Sequence, residues 1–320
     1  MERDKGDAPG TLHPKRPGDA KPTGKTELPI PTGANGAGQS PSNMFNPSIL
    51  AKNIFADPSY PAFRSKILTN TGLDLDLYKS NQLQRRLNSI IHRHGATDLE
   101  AYGRMLEENP QLLHKFLDFF TINVSEFFRN PDKFTFLQET VIPGLLREAP
   151  VLKVWSAGCS IGAEVYSLAM ILSELTPGRR HQIIATDIDR RILERAAGGL
   201  YRSDELKNVS PQRLTRFFSQ EPEGFRLKPE LLRSVTFRYH NLLSDPFERG
   251  FHLITCRNVV IYFTAQAKES LYERFAHSLV PGGILFVGGT ETIFQHRAIG
   301  LENLASFFYR RLPAQSGKNP

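Results

Sequence analysis

The chain has 320 residues, of which 40% are hydrophobic and 23% charged, and this composition excludes fibrous and wholly disordered proteins and predicts about two domains. No apolar run is long enough to cross a membrane, the charged, proline-rich N-terminus differs from a secretory signal, and two cysteines are too few for a disulfide framework or a zinc site. The net charge of +7 favours an anionic partner, but charge alone leaves nucleic acid, an anionic membrane and an acidic protein surface open.

Residues 1–47 are rich in proline and glycine and lack apolar periodicity. They are too poor in apolar residues to offset the entropy of ordering, so we expect a disordered tail. From 48 to 125 apolar residues recur at three- and four-residue spacing, as at Leu83, Leu87 and Ile91. This spacing predicts a small bundle of about four helices.

From about Val151 short β-rich runs alternate with helical segments. The alternation predicts a parallel α/β sheet with crossover helices, and the last two strands are expected to form an antiparallel edge. The predicted strands lie in VLKVWSA, HQIIATDID, SVTFRYHNL, FHLITCRN, GGILFVGG and ASFFYRRL.

The first candidate site is the loop after the first of these strands. Gly158 and Gly162 permit a tight turn into a helix, which would present backbone amides to an anionic or polar ligand. A purely structural turn is an equal alternative. Asp187 ends the next strand, where doubly wound folds hold ribose hydroxyls. The competing interpretation is helix capping, for which Asp189 is the better candidate.

A second polar group follows the strand FHLIT. Arg257 and Asn258 are predicted at the carboxyl edge of the sheet, where ligands bind in open α/β folds. Tyr262 lies one helical turn further, and an aromatic residue there is more often part of a core. At the junction of the domains, Arg129 follows two phenylalanines that we expect to pack, and its guanidinium suits a carboxylate or phosphate.

Taken in order, the segments NVSEFFR, GCSIGAEVYS, ATDID, HNLL and CRNVVIYF resemble the CheR-type chemotaxis receptor methyltransferases, which are S-adenosylmethionine-dependent protein-glutamate O-methyltransferases. The resemblance covers residues 50–312. It implies a small N-terminal helical bundle followed by a Rossmann-like, doubly wound class I methyltransferase domain with a small inserted β-subdomain. The bundle would span 48–125 and the methyltransferase domain 126–315.

The resemblance also implies which residues form the site. Arg129 and Tyr262 match positions that meet the substrate carboxylate and the reacting methyl group. The positions that match cofactor contacts are Asn123, Ser125, Arg129, Gly158, Glu164, Asp187, Asn241, Leu242, Arg257 and Asn258. Two segments depart from the family pattern: Ala163-Glu164-Val165 stands where the family usually has Glu-Glu-Pro, and the Gly-Gly-Thr-Glu segment 288–291 stands where Gly-His-Ser-Glu is common.

The implied reaction transfers methyl from S-adenosylmethionine to glutamate side chains of a chemoreceptor, giving methyl esters and S-adenosylhomocysteine. A glutamate is ionised at neutral pH, so no general base is required and alignment is the main task. Arg129 is expected to steer the carboxylate and Tyr262 to fix the reacting oxygen or the approach of the methyl group.

The expected partner is the cytoplasmic helical domain of a chemoreceptor. Arg85, Arg86 and Arg93, on a helix predicted over 76–94, would dock its acidic surface, although a solvated basic face is the plainer interpretation. We expect no nucleic-acid partner, no membrane insertion, a monomer, and a cytoplasmic protein recruited to membrane receptor arrays.

Three other functions stay open. A CheR-like module that binds S-adenosylmethionine or S-adenosylhomocysteine without methylating has the altered Ala-Glu-Val triplet as its only support. A methyltransferase for nucleic acid or small molecules is permitted by the charge, but the sequence lacks the aromatic and basic interleaving of nucleic-acid grooves. A nicotinamide dehydrogenase is disfavoured because the spaced Gly-x-Gly-x-x-Gly is missing.

Overall fold

The structure is a computed structural model that describes residues 53–121 and 125–313. The tail predicted for 1–47 lies outside the described residues. The N-terminal part is helical, as predicted, with short 3-10 helices at Ile54–Ala56 and Leu75–Leu77. Its four α-helices are α1 Tyr60–Thr71, α2 Ser80–Arg93, α3 Leu99–Glu108 and α4 Pro110–Thr121.

Helix α2 begins four residues after the predicted start at 76. Asp74 caps the preceding 3-10 turn by accepting a hydrogen bond from the N–H of Asp76, and Tyr78 is extended and bridges to Phe263. Within α2, Leu83 and Leu87 face the bundle core. The bundle therefore has its own apolar core, to which Phe63, Tyr102 and Phe116 also belong.

Residues 125–313 form a seven-stranded sheet covered by helices, with a second, smaller sheet. Its helices are α5 Pro131–Phe136, α6 Ile142–Glu148, α7 Ala163–Leu175, α8 Arg190–Gly198, α9 Pro211–Phe217, α10 Pro229–Leu232 and α11 Ala265–Ser278, with a π-helical segment Leu137–Val141 and 3-10 turns Ser203–Leu206 and Val260–Tyr262. Its strands are β1 Lys153–Ala157, β2 Gln182–Asp187, β6 Val235–Tyr239, β7 Phe251–Cys256, β8 Leu279–Val287, β9 Leu301–Ala305 and β10 Phe308–Arg311.

The strand order is β6-β2-β1-β7-β8-β10-β9. The first five strands in this order are parallel, whereas β10 runs antiparallel to both β8 and β9. The central strands are buried on both faces, which explains their continuous apolar runs. The predicted Rossmann-like, doubly wound sheet is confirmed, and β1 lies at the point where the strand order reverses.

Two elements refine the prediction. A separate antiparallel sheet, β3-β5-β4, is inserted before β6 and forms the expected small β-subdomain; its strands are β3 Leu200–Tyr201, β4 Phe218–Glu221 and β5 Gly224–Leu227. Strand β9 was not predicted. Only Leu301 of its five residues is buried, so it lacks the apolar pattern that marks the inner strands.

The bundle contacts the sheet domain through the segment that follows β7. The N–H of Lys79 donates to the carbonyl of Tyr262 at 3.0 Å, and the N–H of Thr264 donates to the carbonyl of Leu77 at 2.8 Å. These backbone hydrogen bonds fix the start of α2 beside the carboxyl edge of the sheet.

Candidate active site

A cleft of about 970 Å³ opens between the bundle and the carboxyl ends of β1, β2 and β7. This edge, beside the reversal of strand order, is where open α/β sheets bind ligands. Asn123 lies outside the described residues. The other cofactor and catalytic residues predicted from sequence all line the cleft: Ser125, Arg129, Gly158, Glu164, Asp187, Asn241, Leu242, Arg257, Asn258 and Tyr262.

The loop between β1 and α7 turns tightly at one wall of the cleft. Gly158 and Gly162 have φ values of 75° and 82°, a region that favours glycine. A Cβ on Gly158 would also lie 2.6 Å from Cγ2 of Val259. Glycine at 158 is therefore required both by the backbone conformation and by the close approach of the loop after β7.

Asp187 is 8% exposed at the end of β2. One carboxylate oxygen accepts from the N–H of Ser160 at 2.9 Å, and the other accepts from the N–H of Asp189 at 3.1 Å. Burial raises the pKa of Asp187 from 3.8 to about 6, although these N–H groups oppose the shift. Asp189 caps α8 by accepting from the N–H of Arg191 at 3.0 Å, so its predicted capping role is confirmed.

Glu164 and Arg257 pair with each other in the wall of the cleft. An oxygen of Glu164 lies 3.1 Å from Nη1 of Arg257, and the other accepts from the hydroxyl of Thr255 at 2.6 Å. Arg257 also donates to Oδ1 of Asn130 at 2.6 Å and to the carbonyl of Arg129 at 3.0 Å. Much of the hydrogen-bonding capacity of this pair is thus used to hold the segment that carries Arg129.

The two departures from the family pattern have structural counterparts. Ala163 and Val165 are completely buried in the core, whereas Glu164 between them lines the cleft, so the retained acid is the one that faces the site. A Cβ on Gly289 would lie 2.8 Å from Cζ of Phe307. Phe307 therefore occupies the space that a side chain at 289 would need, which explains glycine there.

Arg129 ends a segment anchored by aromatic packing. Phe127 and Phe128 are buried, as predicted, and the N–H of Phe128 donates to the hydroxyl of Ser167 at 3.0 Å. Arg129 itself is only partly buried and lines the cleft with Ser125. Among residues 53–121 and 125–313, no carboxylate lies within ion-pair distance of the Arg129 guanidinium.

Tyr262 lies in the cleft rather than in a core. The guanidinium of Arg86 lies 5.0 Å from the centre of its ring. Burial raises the pKa of Tyr262, and the charges of Arg86 and Arg129 oppose this shift. Because the raised pKa keeps the Tyr262 phenol protonated at neutral pH, its hydroxyl is available as a hydrogen-bond donor.

The side-chain amide of Asn241 hydrogen-bonds to two backbone groups of the protein, one in the bundle and one in its own loop. Its Nδ2 donates to the carbonyl of Gly72 at 2.8 Å, which links the loop after β6 to the bundle. Its Oδ1 accepts from the N–H of Leu243 at 3.0 Å. The side-chain amide of Asn241 is thus engaged within the protein, while Leu242 beside it supplies apolar surface to the cleft.

The predicted basic docking face requires a correction. Arg85 and Arg93 are exposed on α2, but Arg86 turns inward. Its Nη1 donates to the carbonyls of Phe119 and Phe120 at 3.1 and 2.8 Å. These carbonyls lie in the last turn of α4, where a cation is stabilised, so Arg86 packs between the end of α4 and the ring of Tyr262 and not on the outer face.

Among the residues that the sequence analysis missed are Tyr78 and His240, which line the cleft, and Glu291, which lies behind it. Tyr78 packs edge-on against Phe263 at 5.3 Å between ring centres. His240 lines the cleft, and its buried Nε2 has no hydrogen-bond partner within the described structure. Glu291 lies behind the loop after β7, and its carboxylate accepts hydrogen bonds from the backbone N–H groups of Asn258 and Val260 in that loop. The HNLL segment pointed to the neighbourhood of His240, but no local pattern marks Tyr78.

The cleft has the chemistry to hold an adenosine-bearing cofactor. The Asp187 carboxylate suits two ribose hydroxyls, and the bend at Gly158 brings the backbone close to a ligand. Ser160 Oγ and His240 Nε2 are buried polar atoms that line the cleft without a partner among the described residues. Buried polar atoms usually have hydrogen-bond partners, so both fit a polar ligand.

This fold and this cleft define a methyltransferase that binds S-adenosylmethionine. Residues 123–305 match the model of the CheR methyltransferase SAM-binding domain, and residues 58–121 match the model of the CheR methyltransferase all-alpha domain. The chain therefore belongs to the CheR methyltransferase family.

Relatives of the chain carry the same description. The chain is 41% identical to a chemotaxis protein methyltransferase of Listeria monocytogenes over 79% of this chain and 97% of that protein. It is 38% identical to that of Escherichia coli K12 over 68% of this chain and 76% of that protein. The cofactor is S-adenosylmethionine, and the chain is a methyltransferase of the chemotaxis type.

Between residues 53–121 and 125–313, no helix is both long and apolar enough to cross a membrane. In the same ranges, no group of His, Cys, Asp and Glu is arranged to hold a metal ion.

Proposed function

We propose that the chain methylates glutamate side chains of a chemoreceptor, producing glutamate methyl esters and S-adenosylhomocysteine. The observation that carries the proposal is the presence of two cations beside Tyr262: Arg129, which lines the cleft with it, and Arg86, whose guanidinium lies against its ring. Two cations beside a protonated phenol favour an acceptor that is anionic before reaction, as a glutamate is at neutral pH. A neutral hydroxyl acceptor would instead need a general base.

The cofactor supplies a methyl group already activated on its sulfonium. The protein must place the acceptor oxygen in line with this methyl group, and positioning of this kind contributes roughly 7–11 kcal/mol in well-oriented cases. Arg129 steers the acceptor carboxylate with a guanidinium that forms no ion pair within the described residues. Tyr262 donates a hydrogen bond that fixes the acceptor oxygen, and neither residue exchanges a proton.

The remaining residues support this arrangement. Asp187 holds the ribose hydroxyls and Leu242 contacts the base, while Glu164 and Arg257 keep the Arg129 segment in place. On the outer face of α2, Arg85 and Arg93 attract the acidic helical surface of the receptor through a screened, salt-sensitive interaction. This docking would bring the enzyme to membrane receptor arrays.

The test is transfer of radiolabelled methyl from S-adenosylmethionine to cytoplasmic fragments of receptors from the same organism. Base-labile label released as methanol identifies a carboxyl methyl ester. Arg129→Ala is expected to lower turnover about 10- to 100-fold, the effect of losing a hydrogen bond to a charged group. Arg180→Ala is the matched control, because Arg180 is exposed just before the amino end of β2, at the opposite edge of the sheet.

Two results would contradict the proposal. Wild-type turnover by Arg129→Ala would remove Arg129 from the reaction. Cofactor binding without label on any receptor of the panel would instead favour a module that senses S-adenosylmethionine or S-adenosylhomocysteine.

A further inference from the structure

Glu291 is a buried carboxylate bound by backbone N–H groups. It is 3% exposed. One oxygen accepts from the N–H groups of Asn258 and Gly288 at 2.8 and 2.6 Å, and the other accepts from the N–H of Val260 at 3.1 Å. No Lys or Arg among residues 53–121 and 125–313 forms an ion pair with it. Burying a carboxylate without a cation is unfavourable unless such donors replace its hydration.

Two of these donors, Asn258 and Val260, belong to the loop after β7 that carries the cleft residues, whereas Gly288 lies in the turn that carries Glu291 itself. Asn258 has a φ of 62°, which is uncommon outside glycine, and the 3-10 turn that begins at Val260 ends at Tyr262. Glu291 therefore engages the loop at the unusual backbone conformation and at the start of the turn that presents Tyr262.

The chain is shaped to admit this carboxylate. A Cβ on Gly288 would lie 2.3 Å from Oε2 of Glu291 and 3.0 Å from the backbone nitrogen of Asn258. A residue with a side chain at 288 would displace the carboxylate from these N–H groups. The hydroxyl of Tyr272 also donates to the carbonyl of Glu291 at 3.3 Å, which fixes its backbone from the α11 side.

We propose that Glu291 is a positioning residue for methyl transfer, acting through the backbone of residues 258–262 to hold Asn258 and Tyr262 toward the cleft. This inference rests on the proposed function. Glu291 does not line the cleft itself, so its influence on the reaction passes through the loop. The loop is held from its other side by the hydrogen bond from the N–H of Lys79 to the carbonyl of Tyr262.

The first experiment measures the loop without using activity. Glu291→Gln keeps the shape of the side chain but replaces one acceptor oxygen with an amide that faces N–H donors. Hydrogen exchange of the amides of Asn258 and Val260 is expected to accelerate about tenfold, as for the loss of one net hydrogen bond. Exchange in β1 is expected to stay unchanged. Unchanged exchange at Asn258 and Val260 would overturn the proposal.

The second experiment measures kcat and KM for methyl transfer with the cofactor saturating. Glu291→Gln is expected to lower kcat about 10- to 100-fold, as for a misplaced reacting group, with smaller changes in the receptor KM and in calorimetric cofactor affinity. Gly288→Ala, which keeps the acidic residue but displaces its carboxylate from the N–H groups, is expected to lower kcat in the same way, again with smaller changes in KM and cofactor affinity. The control Glu302→Gln changes a half-exposed acid on β9 and is expected to match the wild type.

The outcomes separate the two proposals. Faster exchange with wild-type kcat in both Glu291→Gln and Gly288→Ala would overturn the positioning role. A fall in melting temperature with unchanged kcat per folded molecule would also overturn it, because it would show a purely structural acid. A wild-type enzyme that methylates no receptor would refute the proposed function, and the exchange result would then decide whether Glu291 controls the loop.

Discussion

If Asp187 holds the ribose hydroxyls as proposed, its raised pKa makes cofactor affinity depend on pH. Burial raises this pKa from 3.8 to about 6, and only the ionised carboxylate accepts hydrogen bonds from both ribose hydroxyls. About nine-tenths of the free protein is then ionised at pH 7 and about one-tenth at pH 5. Affinity scales with the competent fraction, so Kd for S-adenosylmethionine should rise about tenfold, or about 1.4 kcal/mol, between pH 7 and pH 5.

Calorimetry across this pH range measures the effect directly. At pH 6 binding should release about half a proton, which is detected by repeating the titration in buffers of different ionisation enthalpy. Asp187→Asn should bind more weakly and lose both the pH dependence and the proton release. A wild-type Kd that does not change with pH, or the same change of Kd with pH in Asp187→Asn, would refute the role of Asp187 in cofactor binding.

The raised pKa of Asp187 also makes the stability of the folded protein depend on pH. A folded-state pKa above the unfolded value means that the folded protein holds the proton more tightly. The contribution of Asp187 to stability is therefore present below about pH 4 and is lost as pH rises through about 6. Urea unfolding of Asp187→Asn and the wild type, without cofactor, should differ most at neutral pH, with the variant the more stable. A wild-type advantage at pH 7 would contradict the burial cost.

Three further outcomes follow from the packing and charge of the cleft. Arg257→Leu should lower the free energy of unfolding in urea by about 3–5 kcal/mol, because it leaves a largely buried carboxylate without its partner; a loss below about 1 kcal/mol would show that the pair is well solvated. Gly158→Ala should weaken cofactor binding in calorimetry and cost about 1–3 kcal/mol of stability, through backbone strain and the contact with Val259. Arg85→Glu with Arg93→Glu should raise the receptor KM, and high salt should shrink the difference from wild type; a difference that is independent of salt would argue against docking by charge.

The parts of the fold that follow from local pattern were predictable. The sequence predicts a helix after the glycine turn at 158–162, and the structure has it as α7, Ala163–Leu175, because the turn starts it and a continuous apolar run keeps it buried. Strand β9 could not be found this way. Its pairing is with β10 at the edge of the sheet, so long-range hydrogen bonding rather than an apolar sequence determines it.

In the site too, the position of a residue along its strand could be predicted from the sequence, whereas its contacts with distant elements could not. The cleft position of Asp187 follows from its place at the end of a strand. By contrast, α2 carries Arg85, Arg86 and Arg93 as similar charges in sequence, and the structure separates them because the carbonyls at the end of α4 lie within reach of Arg86 alone. Tertiary acceptors such as these leave no local trace in the sequence.

The contacts of the three arginines around the cleft agree with the proposed role of Arg129 in meeting the substrate. Arg257 is held by Glu164 and Asn130, and Arg86 is held by two carbonyls. Both contact the protein with their terminal nitrogens, so each contributes positive charge with a fixed position. The described residues leave the Arg129 guanidinium without an ion-pair partner, while its carbonyl is held by Arg257. Under the proposed function, a fixed backbone with an unpaired charged end would let Arg129 orient an incoming carboxylate and still release the product, which as a methyl ester no longer carries the charge that attracted it.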